Sequence, residues 1–271
     1  IVDEIKNTNE TVDQKITQRR SQINNQDISE NDIDFEEFEE VEKLTVVLFK
    51  DGTLKTFKDH LDKDKLEKSF KNILNYQKIL SNQKILLFVS SGRVFTIDPN
   101  ILPSGKSNPK DFIYYVESGS KDKIVGMLTY KEKIQCIIAS KLGKGFIADL
   151  NDIVTSQKKG KQLFNLKNDD LLIKIIPDIG EYIACLCSNS KMLIFKTKEL
   201  PVLKKGSGVL LQKVSNNYLS DVLSFEPNDG ITWKYGKIEK NEKKLDFWIG
   251  KRSQSGKKTP KRFNKELKFL E

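Results

Sequence analysis

Short apolar runs broken by small polar turns set the rhythm of this chain. Every residue from Leu86 to Val89 is apolar, Ser90-Ser91-Gly92 interrupts the run, and a second run follows with Val94 and Phe95 near its start. Apolar runs flanking a glycine, which takes the positive φ of a tight turn, predict a β-hairpin. The stretch closes with Leu102-Pro103 and a small basic turn, Ser104-Gly105-Lys106. The same pattern recurs. Val46–Lys58 turns at Asp51-Gly52, Cys136–Val154 turns near Gly143, and Cys185–Leu203 turns at Ser188-Asn189-Ser190. From Gly52 to Gly92, Gly143 and Ser190 the spacings are 40, 51 and 47 residues, and a degenerate fifth copy spans Ile231–Lys251. Such a period, with strands in each copy, predicts a propeller-like array whose units close one another's cores. The alternative is a series of unrelated hairpins.

The segments between hairpins supply further strands. FIYYV and IVGMLTY, within Phe112–Tyr130, read as two, and Gly160–Leu166 and Leu171–Ile176 as two more. Each unit then carries about four strands, so the fold class is all-β, an array of about five four-stranded blades. The connection Asp59–Lys84 is ambiguous. Leu61, Leu66, Phe70 and Leu74 fit a short helical face, or the segment is loop and outer strand. Asp98-Pro99 and Leu102-Pro103 end strands or set turns, because proline donates no ladder hydrogen bond.

The first part of the chain differs. Residues 1–22 have helix-compatible apolar positions at Ile1, Ile5, Val12 and Ile16, and read as the end of a helix arriving from upstream. The chain begins at Ile1 without Met, as expected of a fragment of a longer protein. Residues 23–43 form an acidic linker with Phe35, Phe38 and Val41 interspersed, and residues 44–271 form the β domain. The linker reads as a solvated leash; lying in a basic groove in competition with a polyanion is the other reading.

Charge sharpens this division. Residues 1–43 hold 5 basic and 13 acidic residues, net −8; with +9 overall, residues 44–271 carry +17. An acidic head on a strongly basic body points to a polyanion partner. Part of the lysine excess is ordinary solvated surface in a chain rich in Lys, Asn and Ile.

Other chemistry is sparse. The three cysteines, Cys136, Cys185 and Cys187, sit inside apolar strands. An odd count without C-x-x-C argues against a disulfide framework or zinc site, and favours buried thiols in a reducing compartment. His60 is the only histidine and reads as a solvated turn residue. The sequence lacks a P-loop, a dinucleotide fingerprint and a nucleophile elbow, so neither catalysis nor a metal is expected of this fragment. It also has no apolar run long enough to span a membrane.

Basic turns follow successive copies: Ser104-Gly105-Lys106, Gln157-Lys158-Lys159-Gly160-Lys161, and Lys204-Lys205-Gly206-Ser207-Gly208. The C-terminal part adds Gly250-Lys251-Arg252 and a cluster of Lys257, Lys258, Lys261 and Arg262. Glycine permits close backbone approach to a phosphate and Lys or Arg supplies charge. Repetition at equivalent positions would make a basic rim suited to a curved duplex. The candidate DNA-binding residues are therefore Lys55, Lys58, Arg93, Lys106, Lys144, Lys158, Lys159, Lys161, Lys191, Lys204, Lys205, Lys251, Arg252, Lys257, Lys258, Lys261 and Arg262.

Three stretches resemble one family. VEKLTVVLFKDGTLKTFKDH is similar to the first strand pair of the C-terminal domain of the bacterial topoisomerase IV and gyrase A subunits. LLFVSSGRVFTIDPNILPSGK resembles its blade with an Ile-Asp-Pro and Leu-Pro-Ser signature, the most specific part of the likeness. LCSNSKMLIFKTKELPVLKKGSG resembles a further blade, with Ser190-Lys191 replacing Gly-Arg, and Arg19-Arg20 resembles the paired arginines ending the helix that leaves the catalytic core.

The resemblance implies a β-pinwheel, a disc of four-stranded blades that exchange strands, with duplex DNA bending over its basic rim. It implies that the catalytic tyrosine, the ATPase and the use of ATP and Mg lie elsewhere in a cytoplasmic holoenzyme, which pairs two A subunits with an ATPase B subunit. The fragment itself would need no cofactor and would steer the transported duplex during relaxation and decatenation. Gyrase carries a Gln-Arg-Arg-Gly-Gly-Lys-Gly box in its first blade. None follows the first copy here, and Gln157–Lys161 is only an echo in a later copy, which favours topoisomerase IV. The long connection Asp59–Lys84 is poorer in glycine than the family's, so the first blade is expected to differ. The alternatives are a gyrase-type wrapping domain and a propeller that binds an acidic protein. The basic turns contain few aromatics, which disfavours a protein hot spot and single-strand stacking.

Overall fold

A continuous apolar run in a strand requires burial on both faces, and the central strands of this fold are covered on both faces by neighbouring blades or, at blade 1, by a helix. The computed structural model describes residues 41–167 and 169–270, which belong to one compact unit. The helix expected over residues 1–22 and linker residues 23–40 lie outside the described residues.

In chain order the elements are β1 (Lys43–Phe49), β2 (Thr53–Lys58), α1 (Lys63–Ser69), β3 (Ile73–Leu80), β4 (Ile85–Val89), β5 (Arg93–Ile97), β6 (Lys110–Asp111) and β7 (Ile124–Thr129). There follow β8 (Gln135–Ser140), β9 (Lys144–Asp149), β10 (Lys161–Gln162), β11 (Leu172–Ile176), β12 (Tyr182–Cys187), β13 (Lys191–Lys196), β14 (Val209–Leu210), β15 (Leu219–Phe225), β16 (Ile231–Tyr235), β17 (Ile238–Glu242) and β18 (Lys257–Lys258).

They build four four-stranded antiparallel sheets, ordered β3-β1-β2-β6, β7-β4-β5-β10, β11-β8-β9-β14 and β15-β12-β13-β18, and a two-stranded fifth, β16-β17. Each repeated hairpin is the centre of a blade. The fourth strand of every full blade comes from the connection after the next hairpin, so consecutive blades are stitched by strand exchange. This is the all-β pinwheel expected of the repeat, with its fifth blade reduced to a hairpin. The C-terminal segment runs beside that hairpin, where Leu270 N–H donates to Thr232 O (2.8 Å) and Trp233 Nε1–H to Arg262 O (2.9 Å).

Alternation assigns the faces of each strand to different cores. Leu87 and Val89 pack toward blade 1 with Val46, Leu48 and Phe95, whereas Leu86 and Phe88 pack toward blade 3 with Ile138 and Phe146. Cys185 and Cys187 share the core between blades 3 and 4 with Ile137 and Phe195. Ala184, Leu186 and Ile194 face Ile231 and Trp233 of blade 5. Each fully buried Leu or Phe contributes about 1.5–3 kcal/mol, so no blade is stable alone. The connection after β2 contains both a helix and a strand. Leu66 of α1 covers Val47 and Phe49 on the outer face of blade 1, joined by Leu61 and Phe70, and caps that end of the array.

Two expected strands are different. Phe112–Tyr114 of FIYYV is a 3₁₀ turn, because the Asp111 carboxylate accepts from Ile113 N–H (3.1 Å) and caps it. Within Gly160–Leu166 only Lys161–Gln162 is strand. The cysteines are free and buried, and burial pushes the Cys136 thiol up to about 12 and raises Cys185 further. His60 is exposed, with Nε2 3.0 Å from Ile79 O.

Candidate nucleic-acid interface

The sheet order fixes where the basic turns lie. Strands β3, β7, β11 and β15 surround one cavity of about 570 Å³ at the hub, so the exchanged strands β6, β10, β14 and β18 lie at the outer edges. The four exchanged strands are equivalent in register. Lys110, Lys161, Val209 and Lys257 pair with Leu54, Val94, Gly145 and Met192, in each case the second residue of the hairpin's second strand. The basic turns run into these strands or end within four residues of them. Their repetition in sequence is therefore a repetition in space, one basic turn per full blade on the outer rim.

A second basic position accompanies the first. Directly after the hairpin turn, β5, β9 and β13 begin with Arg93, Lys144 and Lys191, opposite Gln162, Leu210 and Lys258 of the exchanged strands. In blade 1 the equivalent residue is Thr53, opposite Asp111, so the rim is least basic there. Lys110, an exposed residue equivalent to Lys161 and Lys257, is a rim cation missing from the candidates named from sequence. Aligning the three Lys-started exchanged segments would have found it.

Rim segments of neighbouring blades touch. Glu117 N–H, just beyond the exchanged strand of blade 1, donates to Lys158 O (2.9 Å). Asp152 joins the next two turns: its carboxylate pairs with Lys204 at 3.2 Å and its carbonyl accepts from the Lys161 ammonium. Arg252 Nη1 donates to Leu210 O (2.7 Å), and its own N–H donates to the Glu199 carboxylate (3.0 Å). The basic turns of blades 2 to 4 are thus linked into one strip, and the segment that follows the exchanged strand of blade 1 adjoins it.

The candidate residues divide by their surroundings. Lys106, Lys158, Lys159, Lys205, Lys251, Lys258, Lys261 and Arg262 are exposed. Lys161 and Lys204 are exposed and tethered to Asp152, and Arg93 is half-buried with Nη1 on Lys159 O (2.6 Å), bracing the turn that carries the exposed lysines. Lys257 lies over the exposed Phe247 ring, 4.6 Å from its centroid. Two candidates are apart from the strip. Lys55, in mid-β2, is 9% exposed with its ammonium 5.2 Å from the Phe57 centroid, and Lys58 pairs with Glu42 at 3.1 Å.

Three of the turn glycines have a packing role in the fold itself. Gly160, Gly208 and Gly256 have φ of +63°, +63° and +78°. A Cβ would lie 2.5, 2.9 and 2.5 Å from the carbonyl oxygens of Val94, Gly145 and Met192. They admit the exchanged strand against its blade. Among the glycines of the basic turns, Gly105 differs: it has φ +59° and nothing within 4 Å of a Cβ.

Among the described residues, no group of three or more His, Cys, Asp or Glu side chains is placed to hold a metal ion, and no helix is long and apolar enough to cross a membrane.

No protein-family model matches the chain. Its relatives are nonetheless consistent. It is 32% identical over 254 residues to the DNA topoisomerase 4 A subunit of Rickettsia bellii, covering 93% of this chain and 34% of the relative. It is 30% identical over 236 residues to the Caulobacter vibrioides protein of the same name, covering 84% and 30%. The chain therefore spans about a third of the length of these relatives. Among solved structures, the E. coli ParC C-terminal domain matches with a TM-score of 0.71 at 24% identity, over 82% of this chain and 96% of that one. A DNA gyrase A C-terminal domain matches with a TM-score of 0.58 at 16% identity, over 84% and 80%. With sequence likeness along nearly all of its length and the fold of those domains, the chain belongs to the topoisomerase IV A-subunit family and has the fold of its C-terminal β-pinwheel.

Proposed function

We propose that the basic strip is a duplex-DNA contact surface and that the domain bends DNA without fully wrapping it. The observation that carries the reading is the series of basic turns at equivalent outer positions of four blades, linked to one another from blade 2 to blade 4. Phosphates spaced along a curved duplex can meet such a series in turn, and phosphate contacts carry no base information. Bending costs several kcal/mol, offset by the contacts that it permits. The rim is poorest in cations at blade 1, which weakens one end of the track and favours bending over wrapping.

In a parent topoisomerase IV the domain steers the transported duplex during relaxation and decatenation. Cleavage chemistry, ATP and Mg belong to other regions and subunits of that cytoplasmic enzyme, and this domain is non-catalytic. The test is a fluorescent-duplex binding assay with unlabelled competitors of unrelated sequence, combined with plasmid closure by a nicking-closing enzyme. The reading expects similar competition by all duplexes and little trapped writhe. Absence of binding sinks it, in favour of an acidic protein partner. Strong chiral writhe at sub-stoichiometric protein would mean gyrase-type wrapping.

A further inference from the structure

Blade 5 leaves a strand edge that every other blade fills. In blades 1 to 4 the second hairpin strand, β2, β5, β9 or β13, accepts an exchanged strand on its outer edge. Strand β17 is the equivalent strand in blade 5. Among the described residues no strand pairs with its outer edge and no backbone hydrogen bond reaches it. The C-terminal segment lies on the opposite side, against β16.

The geometry of the hairpin determines which groups β17 presents. Tyr235 pairs with Ile238 across a two-residue turn that starts with Gly236 at φ +63°. In such a turn the flanking pair exchanges hydrogen bonds, and the hydrogen-bonded pairs then alternate. Ile238, Lys240 and Glu242 accordingly point their N–H and C=O groups at β16. Glu239 and Asn241 point theirs outward. An incoming antiparallel strand must place its own outward-facing residues opposite these two.

Unpaired edges are often guarded by lysines, but this one is not of a single sign. The strand reads Ile238-Glu239-Lys240-Asn241-Glu242, and Lys243 and Lys244 follow directly after it. Pairing with an antiparallel copy of itself about Asn241 sets Lys240 opposite Glu242 and Asn241 opposite its counterpart, and brings Glu239 level with Lys243, the first residue past the end of the partner strand. Each of the four charged residues meets its opposite sign, and each cross-strand neighbour lies on the same face. In this register the outward-pointing residues of one strand meet outward-pointing residues of the other, as the hydrogen bonding requires. Glu239 also has Lys234 at 4.0 Å within its own hairpin, so it would lie between two cations. In contrast, centring the pair on Glu239 would bring none of these opposite charges face to face.

We propose that the open edge of β17 is a self-association site, at which two copies of this chain join their fifth blades into a continuous antiparallel sheet across a two-fold axis. The interface is isologous, as closed dimers require, and small, which puts it in the weak, transient class.

Sedimentation equilibrium of the full chain tests this up to near-millimolar concentration and at low salt. Two charge variants are used, E239K/E242K and K240E/K243E, with far-ultraviolet circular dichroism and thermal unfolding to show that each is folded. The wild type should form dimers in a concentration-dependent way. Each variant alone should dimerise at least tenfold more weakly, because like charges now oppose one another. The equimolar mixture of the two should recover association as a heterodimer. A wild type that stays monomeric, variants that associate as well as the wild type, or a mixture that fails to recover would each overturn the proposal.

Discussion

Replacing Gly160 by alanine isolates what the rim glycines do. Gly160 has φ +63°, and the added Cβ would lie 2.5 Å from Val94 O and 2.6 Å from Phe95 Cδ1. The left-handed conformation costs an alanine about 1–2 kcal/mol. Relieving the overlap costs about 1–3 kcal/mol more, as small-to-large changes in packed sites do. The less flexible unfolded chain returns about 0.4–1 kcal/mol. Gly105→Ala is the matched control, with φ +59° and nothing within 4 Å of the new methyl, so it bears the conformational cost alone. G160A should therefore be less stable than G105A by about 1–3 kcal/mol. At roughly 2–4 °C per kcal/mol for a domain of this size, its melting temperature should be lower by about 2–12 °C. Scanning calorimetry on both variants, with urea titration as a check, measures the difference. Equal melting temperatures would refute the reasoning that Gly160 is present to admit the exchanged strand.

Three further outcomes are expected. Changing Lys158, Lys159 and Lys161 together to Ala should weaken duplex binding and reduce the salt slope by up to about three, and changing Lys204 and Lys205 by up to about two; Lys65 and Lys68, on α1, should matter less, all read by fluorescence anisotropy over a salt series. Asp221 is 2% exposed, pairs with Lys174 at 3.1 Å and accepts from the N–H groups of Val222 and Phe269 at 2.9 Å each, so Asp221→Ala should cost about 3–5 kcal/mol in denaturant unfolding and loosen the C-terminal segment to protease. Cys136, Cys185 and Cys187 are all buried and burial raises the Cys136 and Cys185 thiols, so maleimide at neutral pH should label none until the protein unfolds, which mass spectrometry after quenching would show.

The hairpins were legible in the sequence because their signals are local. Leu86–Val89 followed by Gly92, at φ +79°, announces a turn between buried strands without any knowledge of their neighbours. The repeat spacing then implied the array. The exchanged strands were not legible. Lys110–Asp111 and Val209–Leu210 are two residues long, shorter than one hydrophobic period, and are strands only because a neighbouring blade presents an edge. FIYYV has strong strand propensity, yet the Asp111 carboxylate caps Phe112–Tyr114 as a 3₁₀ turn, with Phe112 and Val116 buried at the two ends of the segment. Strand β15 escaped notice because its pattern, LSDVLSF, buries a charged residue, Asp221, whose partner Lys174 lies on β11 and is invisible in sequence. In the candidate interface, the basic turns were apparent from composition, whereas their contacts through Glu117, Asp152 and Arg252 depend on strand exchange. In sequence Lys55 carries the same weight as Lys158; only the structure distinguishes a lysine 9% exposed over Phe57 from one projecting from the rim.

The salt dependence of duplex binding tests the central claim most directly. If the strip contacts about six to ten phosphates, the slope of log K against log salt should lie near −5 to −9, with affinity falling by about 10³–10⁵ between 50 and 200 mM. Slopes should agree between duplexes of unrelated sequence. A slope near zero, or no binding at the lowest salt, would contradict the assignment of the basic rim to DNA.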